Sequence, residues 1–110
     1  MSTLEITTEQ HEGQTRMVLA GELDIASTER LEEALATSEG EAPGTLVLDL
    51  RKVEFIDSTG LRTVIAADER ARSAGRRFVV VRGPGAVQRL FSVTQLDQRF
   101  EIVDDLESIG

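Results

Sequence analysis

The apolar positions of this chain come in short runs whose spacing changes from one run to the next, and the polar, glycine-bearing stretches between them mark the joints. Leu46-Val47-Leu48-Asp49-Leu50 is almost wholly apolar and lies between Gly44 and Arg51-Lys52, as expected of a strand covered on both faces. A second apolar patch, Val53 with Phe55-Ile56, leads into Asp57-Ser58-Thr59-Gly60. Beyond it Leu61, Val64, Ile65, Ala67, Ala71 and Ala74 recur at helical spacing as far as Gly75. The stretch reads as strand, short polar elbow, helix. Any of Asp57, Ser58 or Thr59 can cap that helix, whose first-turn N–H groups point outward and favour an anion.

Upstream, Leu4-Glu5-Ile6-Thr7 alternates, Glu9 to Gly13 is polar, and Met17-Val18-Leu19-Ala20 is apolar again. This predicts a hairpin with a loop of several residues that holds the only histidine, His11. Gly21-Glu22-Leu23-Asp24 closes the second strand, with Asp24 at the N-cap position of a helix. That helix carries Leu31, Ala34 and Leu35 on one face and Glu29, Arg30, Glu32 and Glu33 on the other. Glu39 to Gly44 is a loop rich in breakers. Downstream, Phe78-Val79-Val80-Val81 predicts a strand, and Gly83-Pro84-Gly85 a turn with Pro84 at the first position of a third helix bearing Ala86, Val87, Leu90 and Phe91. Phe100 to Val103 reads as a last strand, and Asp104 to Ile109 as a short terminal helix capped by Asp104. Two strands followed by alternating helix and strand imply an α/β fold. Its sheet of four to five strands is mostly parallel after an opening antiparallel hairpin, and about four helices cover its faces.

With 110 residues, 40% of them hydrophobic, the chain is expected to form one domain, residues 1–110, around one core. Twenty acidic residues against twelve basic ones give a net charge of −8, which opposes binding to nucleic acid or to an anionic membrane surface. A protein partner suits it better. Cysteine is absent, so thiolate metal sites and disulfides are excluded. The N-terminal residues carry no basic and apolar leader pattern, and no apolar run approaches the roughly 18 residues that span a bilayer. The expectation is a cytoplasmic protein.

Catalytic motifs fit poorly. A serine nucleophile on a G-x-S-x-G elbow would need glycine where Ile56 stands and a histidine closer than His11. In Gly83-Pro84-Gly85 the third glycine of a dinucleotide fingerprint is replaced by Gln88, and Pro84 lacks the N–H that would hold phosphate. No Walker sequence or EF-hand loop is present, so neither cofactor nor metal is expected. A phosphoaspartate receiver shares the alternating plan but wants an acidic pair after its first strand and a late lysine, whereas the sole lysine is Lys52. What remains is Ser58. A serine at the start of a helix is most often a cap. However, Asp24 and Asp57-Ser58 both follow parallel strands and precede helices, so they converge on one edge of the sheet, where open α/β folds keep their sites.

In this arrangement the chain resembles the STAS-domain anti-sigma factor antagonists of bacteria, the anti-anti-sigma factors. The resemblance rests on Gly21-Glu22-Leu23-Asp24, on Leu48-Asp49-Leu50 followed by Phe55-Ile56-Asp57-Ser58-Thr59-Gly60-Leu61, and on Val87, Leu90 and Phe91 ahead of Leu96. These cover nearly the whole length in the right order. The resemblance implies a STAS fold and a binding protein, not an enzyme. It implies that Ser58 accepts phosphate from a serine kinase that doubles as an anti-sigma factor, that a serine phosphatase resets it, and that Asp24, Asp57, Ser58, Thr59 and Gly60 form the docking site. ATP and magnesium would then be held by the kinase. Phosphorylation adds about −1.5 to −2 charge beside Asp57, enough to oppose an interface fitted to a neutral hydroxyl. The alternative is a stand-alone STAS scaffold subunit of a stress-signalling complex or a transport system, in which Ser58 is only a cap.

Overall fold

The computed structural model describes residues 3–109. Five strands form one sheet in sequential order: β1 (Leu4–His11), β2 (Gln14–Leu23), β3 (Thr45–Ile56), β4 (Arg77–Val81) and β5 (Glu101–Val103). β1 runs antiparallel to β2 and every later pairing is parallel, as the run order implied. Three α-helices, α1 (Thr28–Gly40), α2 (Ser58–Ser73) and α3 (Gly85–Val93), make the crossovers, with 3-10 turns at Leu96–Gln98 and Leu106–Ser108. Crossovers of one hand between consecutive strands put every helix on the same side of the sheet. Accordingly Leu31 and Leu35 of α1, Val64, Ala67 and Ala71 of α2, and Val87 and Phe91 of α3 share one core with Met17, Leu19, Leu46, Leu48 and Val80.

Helices therefore do not cover both faces. On the other face Val47, Val79 and Val81 are covered by Val103, Leu106 and Ile109, so the chain's last turn does the work assigned to a helix. That turn is too short to be the fourth α-helix. Its cap is Asp105, whose Oδ1 accepts from the Ser108 N–H at 2.9 Å, while Asp104 instead pairs with Arg82 at 2.8 Å. Pro84 also stands one position earlier than expected, as the N-cap of α3, its carbonyl accepting from the Gln88 N–H. The opening hairpin is tighter than predicted: β1 continues through His11, and the turn is the pair Glu12-Gly13, both with positive φ, at 47° and 83°. Two-residue hairpins require that geometry because it matches the twist of the strands.

The two apolar patches before the elbow are one strand. Two β-bulges interrupt its pairing with β2: Leu50 and Arg51 together oppose Leu19, and Glu54 is the extra residue before Phe55 pairs with Glu22. Each extra residue resets the alternation. Leu46, Leu48, Leu50, Val53 and Ile56 thus all reach the same core although their spacing changes from two to three. At the first bulge the buried Asp49 carboxylate holds Arg51 in a paired contact at 2.8 Å. The second bulge turns Phe55 outward just before the elbow.

Candidate functional site

Since β2, β3 and β4 are parallel, their carboxyl ends lie along one edge, and each is followed there by the start of a helix. The elbow between β3 and α2 is built around Asp57, the N-cap of α2, with extended backbone at φ −103° and ψ −178°. Its Oδ1 accepts from the Gly60 N–H at 2.9 Å, satisfying one of the free donors of the first turn. Its Oδ2 accepts from the Ile25 N–H at 3.1 Å, across to the loop between β2 and α1. The Asp57 N–H donates to the Leu23 carbonyl at 3.1 Å. Two of these three hydrogen bonds, to Ile25 and Leu23, tie the elbow to the end of β2 and its loop.

Gly60 completes the joint by what it lacks. A Cβ at this position would lie 2.5 Å from the Leu23 carbonyl oxygen and 2.8 Å from Leu23 Cγ, so only glycine lets the first turn of α2 sit against the end of β2. Ser58 is the first helical residue and is exposed; Thr59, next to it, is half-buried and lends its carbonyl to the Thr63 hydroxyl at 3.2 Å. Of the candidate residues, Ser58 therefore offers the outward hydroxyl.

Asp24 is placed differently from expectation. It is 9% exposed and precedes α1 by several residues. Its Oδ1 accepts from the Ala26 N–H at 3.1 Å and lies 3.3 Å from the Ser27 hydroxyl, an Asx-type turn within the loop. The N-cap of α1 is Ser27, which makes no side-chain cap bond: its Oγ is turned back to the loop, accepting from the Asp24 N–H at 3.0 Å and donating to the Glu22 carbonyl at 2.8 Å. Asp24 shapes the loop next to the elbow instead of capping a helix. The structure thus brings all five predicted residues to one edge, with Ser58 outward and Asp24 and Gly60 buried.

Two apolar side chains beside the elbow are exposed; the sequence reading counted Phe55 in an apolar patch and did not single out Ile25. Ile25 is 75% exposed and Phe55 is 49% exposed. Phe55 also borders a groove of about 230 Å³ between the end of β3 and α3, lined with Ala86, Val87 and Leu90. Phe55 carried a usable signal, an aromatic residue two positions before the cap; for Ile25, a lone apolar residue in a polar loop, the pattern offered none. Among the described residues no group of three or more His, Cys, Asp or Glu is placed to hold a metal ion. No described helix is long and apolar enough to cross a membrane.

Known proteins resemble this chain over nearly its full length. The family model described as "Mlab, STAS domain" matches residues 6–104. The anti-sigma-F factor antagonist RsfB of Mycobacterium tuberculosis is 31% identical over 104 residues, covering 94% of this chain and 84% of the relative. Among solved structures, an anti-sigma factor antagonist from Mycobacterium paratuberculosis superposes with a TM-score of 0.87 at 31% identity, covering 96% of this chain and 89% of that one. The anti-sigma factor antagonist SpoIIAA in its unphosphorylated form gives a TM-score of 0.80 over 96% of this chain and 93% of that chain. At 20% identity that likeness is one of fold.

Proposed function

As the chain belongs to the STAS-domain family of anti-sigma factor antagonists, we propose that it acts as one: unphosphorylated, it binds an anti-sigma factor that is also a serine kinase and frees the sigma factor held there. Phosphorylation at Ser58 then ends the binding. The observation that carries this reading is the exposed Ser58 hydroxyl on an elbow braced by Asp57 and Gly60. The chain is ligand and substrate of the kinase, not a catalyst.

In the phosphoryl transfer a bond forms between Ser58 Oγ and the γ-phosphorus of ATP as the bond to the ADP oxygen breaks, and the hydroxyl proton passes to a base of the kinase. Magnesium and nucleotide belong to the kinase. A serine phosphatase reverses the step by adding water to phosphorus, which returns the hydroxyl and releases inorganic phosphate. Because ATP is consumed, the cycle belongs to the cytoplasm. The α2 N-terminus tolerates the new dianion, whereas the Asp57 carboxylate beside it and a partner surface fitted to a small neutral group do not. Thr59 borders the acceptor, and the Asp24 loop borders the elbow, so both belong to the docking surface.

The test is phosphate mapping after incubation with ATP and each anti-sigma factor kinase purified from the source organism. One phosphate per chain at Ser58, and none on a folded Ser58→Ala variant, is the expected result. Phosphate on Thr59 of the wild type would remove Ser58 from its role.

A further inference from the structure

We propose that Asp57 acts as a positioning residue that holds Ile25 as a fixed apolar anchor for the kinase, making the β2–α1 loop and the Ser58 elbow one docking surface. This rests on the proposed binding of an anti-sigma factor kinase. A single exposed aliphatic side chain is ordinary on a protein surface. Ile25 differs in how firmly its backbone is held. Its N–H donates to Asp57 Oδ2 at 3.1 Å, and its carbonyl accepts from the Thr28 hydroxyl at 3.3 Å. Its neighbours are fixed as well: the Leu23 carbonyl by the Asp57 N–H at 3.1 Å, the Ala26 N–H by Asp24 Oδ1 at 3.1 Å. Leu23, Asp24, Ser27 and Thr28 are buried around it. A large apolar side chain is therefore presented to solvent on a backbone that has little freedom left to lose, which is the property that makes an anchor effective.

The elbow decides what covers this anchor. A kinase that brings ATP to Ser58 must cover the residues bonded to that elbow, and Ile25 is bonded to it directly. Asp57 meanwhile has each carboxylate oxygen turned to a backbone donor of its own chain, Gly60 for one and Ile25 for the other. Its contribution to binding then passes through Ile25. Asparagine at this position caps a helix about as well as aspartate but offers one acceptor oxygen in place of two. Asp57→Asn keeps the bond to Gly60 and releases Ile25.

Two measurements test this. Amide hydrogen exchange on the free protein should show the Ile25 N–H protected in the wild type and fast in Asp57→Asn, with Gly60 unchanged; equal protection of Ile25 in both proteins would overturn the brace. Calorimetric binding to the anti-sigma factor kinase of the source organism should show Ile25→Ala and Asp57→Asn each weakening affinity by about tenfold or more, as loss of an interface anchor does. The double variant should bind no worse than the weaker single one, and Ile25→Leu should bind nearly as the wild type does. If the two losses multiply in the double variant, or if Ile25→Ala binds as tightly as the wild type, the anchor is refuted. A wild-type chain that binds no such kinase would overturn the functional reading and the anchor with it, and the exchange result would still decide the brace.

Discussion

At Gly60 the absence of one carbon atom decides the geometry of the site. The close approach of α2 to the Leu23 carbonyl is possible only without a Cβ, so Gly60→Ala must push the first turn of α2 away from β2. That displacement strains the Asp57 bonds to Leu23 and Ile25 together. The expected cost is about 2–3 kcal/mol of stability from overpacking, read as a lowered denaturant midpoint. Loss of kinase binding should accompany it. An unchanged midpoint would show that the joint can open freely. The elbow itself was legible from sequence because capping chemistry is local, although the pattern left Asp57, Ser58 and Thr59 open as the cap and the structure gives that place to Asp57. The role of Ile25 was not legible, since its backbone is held by a carboxylate 32 positions away. Asp24 was misread as a cap because an aspartate ahead of a helical pattern also suits an Asx turn, and here its Oδ1 takes the Ala26 N–H while the helix begins only at Thr28, after Ser27.

Among the elements, β3 shows most clearly where pattern reading fails. Its apolar residues fall out of step at Arg51-Lys52, which suggested a break, whereas the strand runs on through two bulges that shift the pairing. Periodicity assumes one residue against one, and a bulge violates that assumption without ending the strand. The hairpin, three crossover helices and parallel order were legible because short apolar runs, helical periodicity and glycine-bearing joints set them. At the far edge, the three-residue β5 is lashed to β4 by the ion pair of Arg77 and Glu101. The Arg77 guanidinium holds the Glu101 carboxyl below its ordinary value of 4.5. The unfolded chain thus takes up this proton more readily than the folded one, so the pair's contribution is complete above about pH 4.5 and is lost as pH falls through the lowered value. Both partners are partly exposed, so the effect is small. Thermal unfolding from pH 6 to pH 3 should therefore show a slightly shallower acid loss for Glu101→Gln than for the wild type; identical profiles would assign the acid loss to other carboxylates.

For the whole molecule, sequential strand order has a functional consequence. All three helices lie on one side, so the ends of three consecutive parallel strands and the starts of three helices line one edge, with Ser58 near its middle. The opposite face is closed over Val47, Val79 and Val81 by the last turn of the described chain. That asymmetry was not legible, because apolar runs show that a strand is covered and not what covers it. The elbow and the β2–α1 loop are held by hydrogen bonds to each other, and the net charge of −8 is already unfavourable toward an added dianion. Phosphorylation can thus act where it occurs, by charge and size at position 58, without refolding the sheet. The most direct test is a calorimetric titration of the anti-sigma factor kinase with the chain before and after stoichiometric phosphorylation of Ser58. The unphosphorylated chain should bind and the phosphorylated chain should bind at least about a hundredfold more weakly, a difference of about 2.7 kcal/mol; equal affinity for the two forms would contradict the switch.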